Sequence, residues 1–157
     1  MLVCAPSNLA VDNVFERLLA AGEKAVRLGH PARVLPELRK HTLDLLVARH
    51  EDVRLARKLD REAFALREKA GKHTRAKPVP GARREMRDEA KQLIFDARRL
   101  ETQVVQHILD QSTILCATLT GLDSDLLGKR SFDLAVVDEA CQATEPSCWI
   151  PVLRCDR

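Results

Sequence analysis

A chain of 157 residues is long enough to bury one good core, which favours a single α/β domain with one inserted protrusion. Its formal net charge of +3 is too small to indicate a nucleic-acid partner by itself, and no apolar run approaches the roughly 20 residues that span a bilayer. The five cysteines include no C-x-x-C pair, so we expect free thiols in a reducing compartment rather than a cysteine-ligated metal.

An apolar strand over residues 2–5 begins the chain, and Pro6 ends it. Ser7 or Asn8 then caps a helix that stops at Gly22. A strand followed directly by a capped helix presents free backbone N–H groups beside short polar side chains, which suits a phosphate. The simpler alternative is that these two polar residues only cap the helix.

A second strand is predicted over residues 24–28, closed by a turn at 29–31. His30 precedes a proline, which favours a turn residue over a catalyst. Arg27 and Arg33 either reach a phosphate or an acidic neighbour or are simply solvated.

From Thr42 onwards the apolar spacing is that of long helices. Two apolar seams repeat at intervals of three and four residues, as in paired helices. They are Ala56, Leu59, Ala63 and Leu66, then Met86, Ala90, Leu93, Ala97, Leu100 and Val104. The stretch 71–81 between them has glycine at both ends and two prolines inside, so an antiparallel helical hairpin is predicted, with its second helix at 83–111.

Basic charge is concentrated in this hairpin, since residues 49–101 hold 16 lysines and arginines against 10 acidic residues. The tip carries Lys69, Lys72, His73, Arg75, Lys77, Arg83 and Arg84. A basic tip either touches a nucleic-acid backbone or is only a solvated arm, and the sequence leaves both readings open.

A third strand, residues 112–117, ends at Thr118-Leu119-Thr120-Gly121. The hydroxyls of Thr118 and Thr120 either hydrogen-bond phosphate or sugar oxygens or only form a turn.

The run from Phe132 to Val137 is nearly continuous in apolar residues and predicts a strand buried on both faces of a parallel sheet. Asp138 and Glu139 follow at once. Two adjacent carboxylates there suit a magnesium–nucleotide site, one holding the metal shell and the other orienting the attacking water. Alternatively, both acids are solvated or cap the next turn. Thr144 then caps a helix that is predicted to run to the end of the chain.

Three strand ends thus carry polar residues, and parallel strands joined by helical crossovers place those ends on one edge of the sheet. The motifs are CAPSNLAVDNVFERLL, LCATLTG and VVDEACQATEPSCWIPVL. In this order they resemble motifs of superfamily 1 helicases, the last being similar to Walker B. The branch they resemble is that of the nonsense-mediated-decay helicases and the immunoglobulin mu-binding helicase.

The resemblance implies a partial RecA-like parallel sheet of the P-loop NTPase class, with a first part at residues 1–41, a helical insertion at 42–111 and a second part at 112–157. It implies that Asp138 holds Mg²⁺ through water, that Glu139 is the base for hydrolysis of ATP, and that Gln142 senses the γ-phosphate or couples the nucleotide site to the nucleic-acid site. The residues it assigns to binding single-stranded DNA or RNA are Pro6, Ser7, Asn8, Thr118 and Thr120. It further implies 5′ to 3′ translocation and a location in nucleus and cytoplasm.

One departure from the family pattern is the lack of any G-x-x-x-x-G-K-[ST] sequence, the loop that cradles phosphates. We therefore expect an internal fragment of an ATP-dependent helicase, inactive on its own without that loop and the second RecA-like domain. Two alternatives stay open: a non-enzymatic module that binds nucleic acid through the basic hairpin, and an unstable truncation with exposed strand edges.

Overall fold

The computed structural model describes residues 1–72, 81–122 and 124–156. Its contacts divide the chain into two compact units. The sheet unit comprises Met1–Leu46 and His107–Arg157, and the hairpin unit comprises Val47–Gln106. The predicted domain boundaries after residues 41 and 111 stay predictions.

Four parallel strands form one sheet in the order β2-β3-β1-β4. They are β1 (Leu2–Ala5), β2 (Ala25–Arg27), β3 (Ile114–Thr118) and β4 (Ala135–Val137). The α-helices of the described residues are α1 (Asn8–Ala20), α2 (Leu43–Arg49), α3 (Glu51–Gly71), α4 (Ala82–Gln111), α5 (Ser124–Leu127) and α6 (Glu145–Val152). The predicted α/β class with a parallel sheet is confirmed.

Helix α1 packs on one face of this sheet. Its buried side chains Val11 and Phe15 join Val3, Ala5 and Cys116 of β1 and β3 in one apolar cluster. Phe15 has no exposed surface, and complete burial of a side chain of this size contributes about 1.5–3 kcal/mol. The helix therefore fixes the carboxyl ends of β1 and β3 in place.

The predicted burial of residues 132–137 on both faces is wrong. Only Ala135–Val137 form β4, which is an edge strand of the sheet, and Leu134 and Val136 are each 42% exposed. The apolar pattern fits a central strand, but the local sequence does not specify which neighbours the strand has, and here β1 is its only strand partner among the described residues.

Helix α6 begins as predicted, with Thr144 as N-cap residue, but it ends at Val152 instead of continuing. The reason is a backbone pairing further along the chain. Phe132 N donates to Arg154 O at 2.8 Å, and Asp156 N donates to Phe132 O at 3.0 Å. These bonds need an extended chain at 154–156, which a helix does not provide.

In the hairpin unit the alanines of the predicted seams are buried, whereas the leucines and the methionine between them are only half-buried. On α3, Ala56, Ala63 and Ala70 recur every seventh residue and are at most 1% exposed. On α4, Ala90 and Ala97 are buried to the same extent. Small residues at such positions let two helices approach closely. Three of the predicted tip residues, His73, Arg75 and Lys77, lie outside the described residues. No helix in the described ranges is both long enough and apolar enough to cross a bilayer.

Candidate functional site

The ends of β1, β3 and β4 lie side by side at one edge of the sheet. Thr118 is level with Ala5 in the register of β3 and β1, and Val137 is level with Cys4 in that of β4 and β1. Asp138 continues this pairing, since its N–H donates to Cys4 O at 2.8 Å. The three polar segments therefore share one edge, which we call the carboxyl rim: residues 6–8, 118–121 and 138–139.

The acidic turn of the carboxyl rim has an unusual backbone. Glu139 has φ 51° and ψ 34°, and it is the only non-glycine residue with positive φ among those described. Asp138 Oδ1 accepts a hydrogen bond from Glu139 N at 3.0 Å and so helps to hold this left-handed turn. Such backbone conformations cost about 1–3 kcal/mol and cluster at functional sites. Both carboxylates are exposed to solvent.

Gln142 lies in the 3₁₀ turn Ala140–Gln142 directly after the acidic turn, and it is exposed. Its N–H donates to Glu139 O at 2.9 Å, which ties it to the same turn. Helix α6 follows and contacts the 3₁₀ turn Leu119–Gly121 after β3. The acidic segment and the Thr118 segment are thus joined through one helix.

A glycine supports the Thr118 segment. A β-carbon added at Gly121 would collide with Thr118 Oγ1, so only glycine leaves this hydroxyl in its observed position. Thr118 is half-buried and Thr120 is exposed, as befits residues at a strand end that face solvent. The sequence predicts the hydroxyls of Thr118 and Thr120 as candidate site groups. It does not predict that position 121 needs glycine to leave the Thr118 hydroxyl in place.

The first polar segment combines capping with a longer-range contact. Ser7 Oγ accepts from Ala10 N at 3.1 Å, so Ser7 is the N-cap of α1, and Pro6 and Asn8 are half-buried. Asn8 does not cap: its Oδ1 accepts from Arg27 Nη2 at 2.9 Å. The assignment of these residues to nucleic-acid binding stays a prediction.

A buried ion pair lies behind this segment: of the alternatives left open for Arg27, the structure shows the acidic neighbour, but the sequence reasoning did not identify Asp12 as that neighbour. Arg27 Nε donates to Asp12 Oδ1 at 2.9 Å, and the side chains of the two residues are 1% and 2% exposed. Asp12 Oδ2 accepts from Leu35 N at 2.9 Å, so both of its oxygens are used. One feature of the sequence could have indicated this pair: Asp12 lies between Val11 and Phe15 on the apolar face of α1. A carboxylate at such a position needs a buried partner.

The carboxyl rim fits a magnesium ion held chiefly by water and a phosphate ligand. Mg²⁺ prefers oxygen ligands and is usually bound through one or two carboxylates plus water and substrate phosphates. Asp138 supplies an exposed carboxylate at the strand end. The described residues contain no cluster of three or more histidine, cysteine, aspartate or glutamate side chains, so a cage made only of protein groups is not formed by them.

An all-parallel sheet with polar segments at the carboxyl ends of three adjacent strands is the architecture of a partial RecA-like α/β domain. Comparisons with known proteins give the family. A family profile described as "AAA domain" matches residues 1–157.

"DNA polymerase alpha-associated DNA helicase A" of Schizosaccharomyces pombe is 39% identical over 153 residues, covering 98% of this chain and 23% of that protein. "DNA-binding protein SMUBP-2" of Mus musculus is 39% identical over 158 residues, with 98% and 16% covered. "Regulator of nonsense transcripts 1 homolog" of Neurospora crassa is 31% identical over 156 residues, with 98% and 12% covered.

The chain belongs to the AAA domain family, in the branch of superfamily 1 helicases that these relatives represent. The resemblance drawn from the three motifs is thereby confirmed. The chain spans less than a quarter of the length of each of these relatives.

Proposed function

We propose that this chain is part of the motor of an ATP-dependent helicase that translocates on single-stranded DNA or RNA in the 5′ to 3′ direction. The observation that carries the proposal is the carboxyl rim. There Thr118 ends β3 and Asp138 follows β4, and these two strands flank β1 on its two sides. A nucleotide at one end of the carboxyl rim and a nucleic-acid strand at the other would be coupled through this sheet edge.

On the nucleotide side, Asp138 is the residue for the water shell of Mg²⁺, and its exposed carboxylate supports this role. When bound, the ion neutralises charge on the phosphates. Glu139 accepts the proton of the water that attacks the γ-phosphate. Gln142 senses the γ-phosphate, a role supported by its backbone bond to the Glu139 carbonyl.

On the nucleic-acid side, the proposed contacts to the strand come from Pro6, Ser7, Asn8, Thr118 and Thr120. Hydroxyl and amide groups of this kind hydrogen-bond phosphate and sugar oxygens. We place the helicase in nucleus and cytoplasm. The 157-residue chain by itself is proposed to be inactive, because its sequence holds no G-x-x-x-x-G-K-[ST] loop and ATP hydrolysis needs one in addition to these residues.

The test is Glu139→Gln in a helicase that contains both these residues and a phosphate-cradling loop. The amide keeps the shape of the side chain but accepts no proton, so strand-stimulated ATP turnover should fall by about 10²–10⁴-fold, with nucleotide affinity retained. Glu145→Gln, at an exposed position of α6, is the matched control and should hydrolyse ATP normally. Normal turnover in Glu139→Gln would overturn the assignment of the base.

A further inference from the structure

Arg27 is a buried cation directly behind the carboxyl rim. Its guanidinium donates to three different acceptors: Asp12 Oδ1, Asn8 Oδ1 and the carbonyl of Leu28. Arg27 is 1% exposed, and its charge is compensated by Asp12. Arg27 is therefore not available to contact a ligand itself, and any effect it has on the carboxyl rim acts through the residues that it holds.

Asn8 is the residue through which Arg27 reaches the carboxyl rim. A guanidinium has donors only, so it binds the oxygen of the Asn8 amide and directs the NH₂ group away from itself. No described residue accepts a hydrogen bond from Asn8 Nδ2. Because no buried side-chain nitrogen or oxygen in the described ranges lacks a partner, Nδ2 must reach solvent.

We propose that Arg27 is a positioning residue that fixes the Asn8 amide with its N–H donors facing outward, where they bind a phosphate oxygen of a single strand. The inference rests on the proposed function, since it names the atom of the strand-binding edge that makes the contact. Without Arg27 the amide is free to turn its oxygen outward, and that oxygen repels phosphate. The contact reads the backbone of the nucleic acid and not its bases.

The primary test is Asn8→Asp in the 157-residue chain, with binding measured by fluorescence anisotropy on a labelled oligothymidylate. Aspartate keeps an oxygen towards Arg27 but replaces the outward donor with a second oxygen. Affinity should fall about tenfold or more, since hydrogen bonds to charged groups are among the strong ones. The melting temperature should stay the same or rise, because position 8 is the first residue of α1, where the helix dipole favours a negative charge. If Asn8 had a purely structural role, the affinity and the melting temperature would fall together.

Asn13→Asp is the matched control, because Asn13 is an exposed residue of the same helix and the charge change is identical. Its affinity should remain close to that of wild type. Equal affinity of wild type and Asn8→Asp would overturn the role of the amide while leaving the proposed function standing. Absence of binding by the wild-type chain would overturn the proposed strand-binding edge and this inference with it.

Arg27→Lys tests the positioning role separately, since lysine retains the charge against Asp12 but not the planar set of donors. We expect it to weaken binding in the wild-type background and to have no further effect in an Asn8→Ala background. An equal loss in both backgrounds would overturn the proposal that Arg27 acts through Asn8.

Discussion

The sheet unit and the hairpin unit stabilise themselves by different means. The sheet unit buries the ion pair of Arg27 and Asp12 beside its carboxyl rim. The hairpin unit buries alanines, and its ion pairs, such as Lys91 with Asp88, lie at the surface. Buried charges are costly unless each finds its partner, so the sheet unit tolerates little change where the site is built. No charged side chain is buried among the described residues of the hairpin unit, so its interior depends on apolar packing.

Of the substitutions that test this contrast, Arg27→Met has the largest expected effect. It leaves Asp12 buried and uncompensated, so the free energy of unfolding should fall by about 3–5 kcal/mol. Lys91→Ala removes an exposed pair of the hairpin unit and should cost far less, because solvent and salt screen such a pair. Urea unfolding followed by the fluorescence of Trp149, the only tryptophan, measures the sheet unit directly.

A double variant controls for the loss of the Arg27 side chain itself. Adding Asp12→Leu to Arg27→Met removes the orphaned charge, and part of the lost stability should return, because apolar replacement of a whole buried pair is often neutral. If the single variant lost no more than Lys91→Ala does, the distinction between the two units would disappear.

A second prediction concerns two thiols that only the sheet unit contains. Burial raises the pKa of Cys4 and of Cys116 from 9.0 to about 12, the Cys4 shift being reinforced by the neighbouring Cys116. Both thiols stay protonated in the folded chain above pH 9, whereas the unfolded thiols ionise there. Their contribution to stability is therefore complete below pH 9 and is lost as the pH rises towards 12.

The expected loss is about 1.4 kcal/mol per pH unit for each thiol within that window. The Trp149 transition should thus weaken between about pH 9 and 11, and Cys4→Ala combined with Cys116→Ala should flatten the dependence. Tyrosine, which titrates in the same range, is absent from the chain. The hairpin unit has no cysteine and holds most of the two longest helices, α3 and α4, so the helical circular-dichroism signal should change less than the Trp149 signal. An equal change in both signals would contradict the prediction.

The two units also differ in how much of them the sequence reveals. The seams of α3 and α4 follow from local spacing, because neighbours on a helix surface are three and four residues apart. The carboxyl rim follows from the rule that parallel strands align their ends. The Arg27–Asp12 pair does not follow, since it depends on β2 and α1 packing together across 15 residues of sequence. The exposure of β4 depends on strand order, and the left-handed backbone of Glu139 occurs without the glycine that usually signals it.

Among the substitutions at buried positions, the smallest effect is expected in the hairpin unit, where Ala63→Leu enlarges a side chain with no exposed surface. Overpacking at a fully buried position typically costs about 1–3 kcal/mol, so the helical circular-dichroism transition in urea should move to a lower urea concentration. Ala65→Leu, at an exposed position of the same helix, is the matched control and should leave that transition in place. The Trp149 transition should not move in either variant. If Ala63→Leu shifted the circular-dichroism and Trp149 transitions equally, the two units would unfold as one. The stability of the hairpin unit would then not be independent of that of the sheet unit.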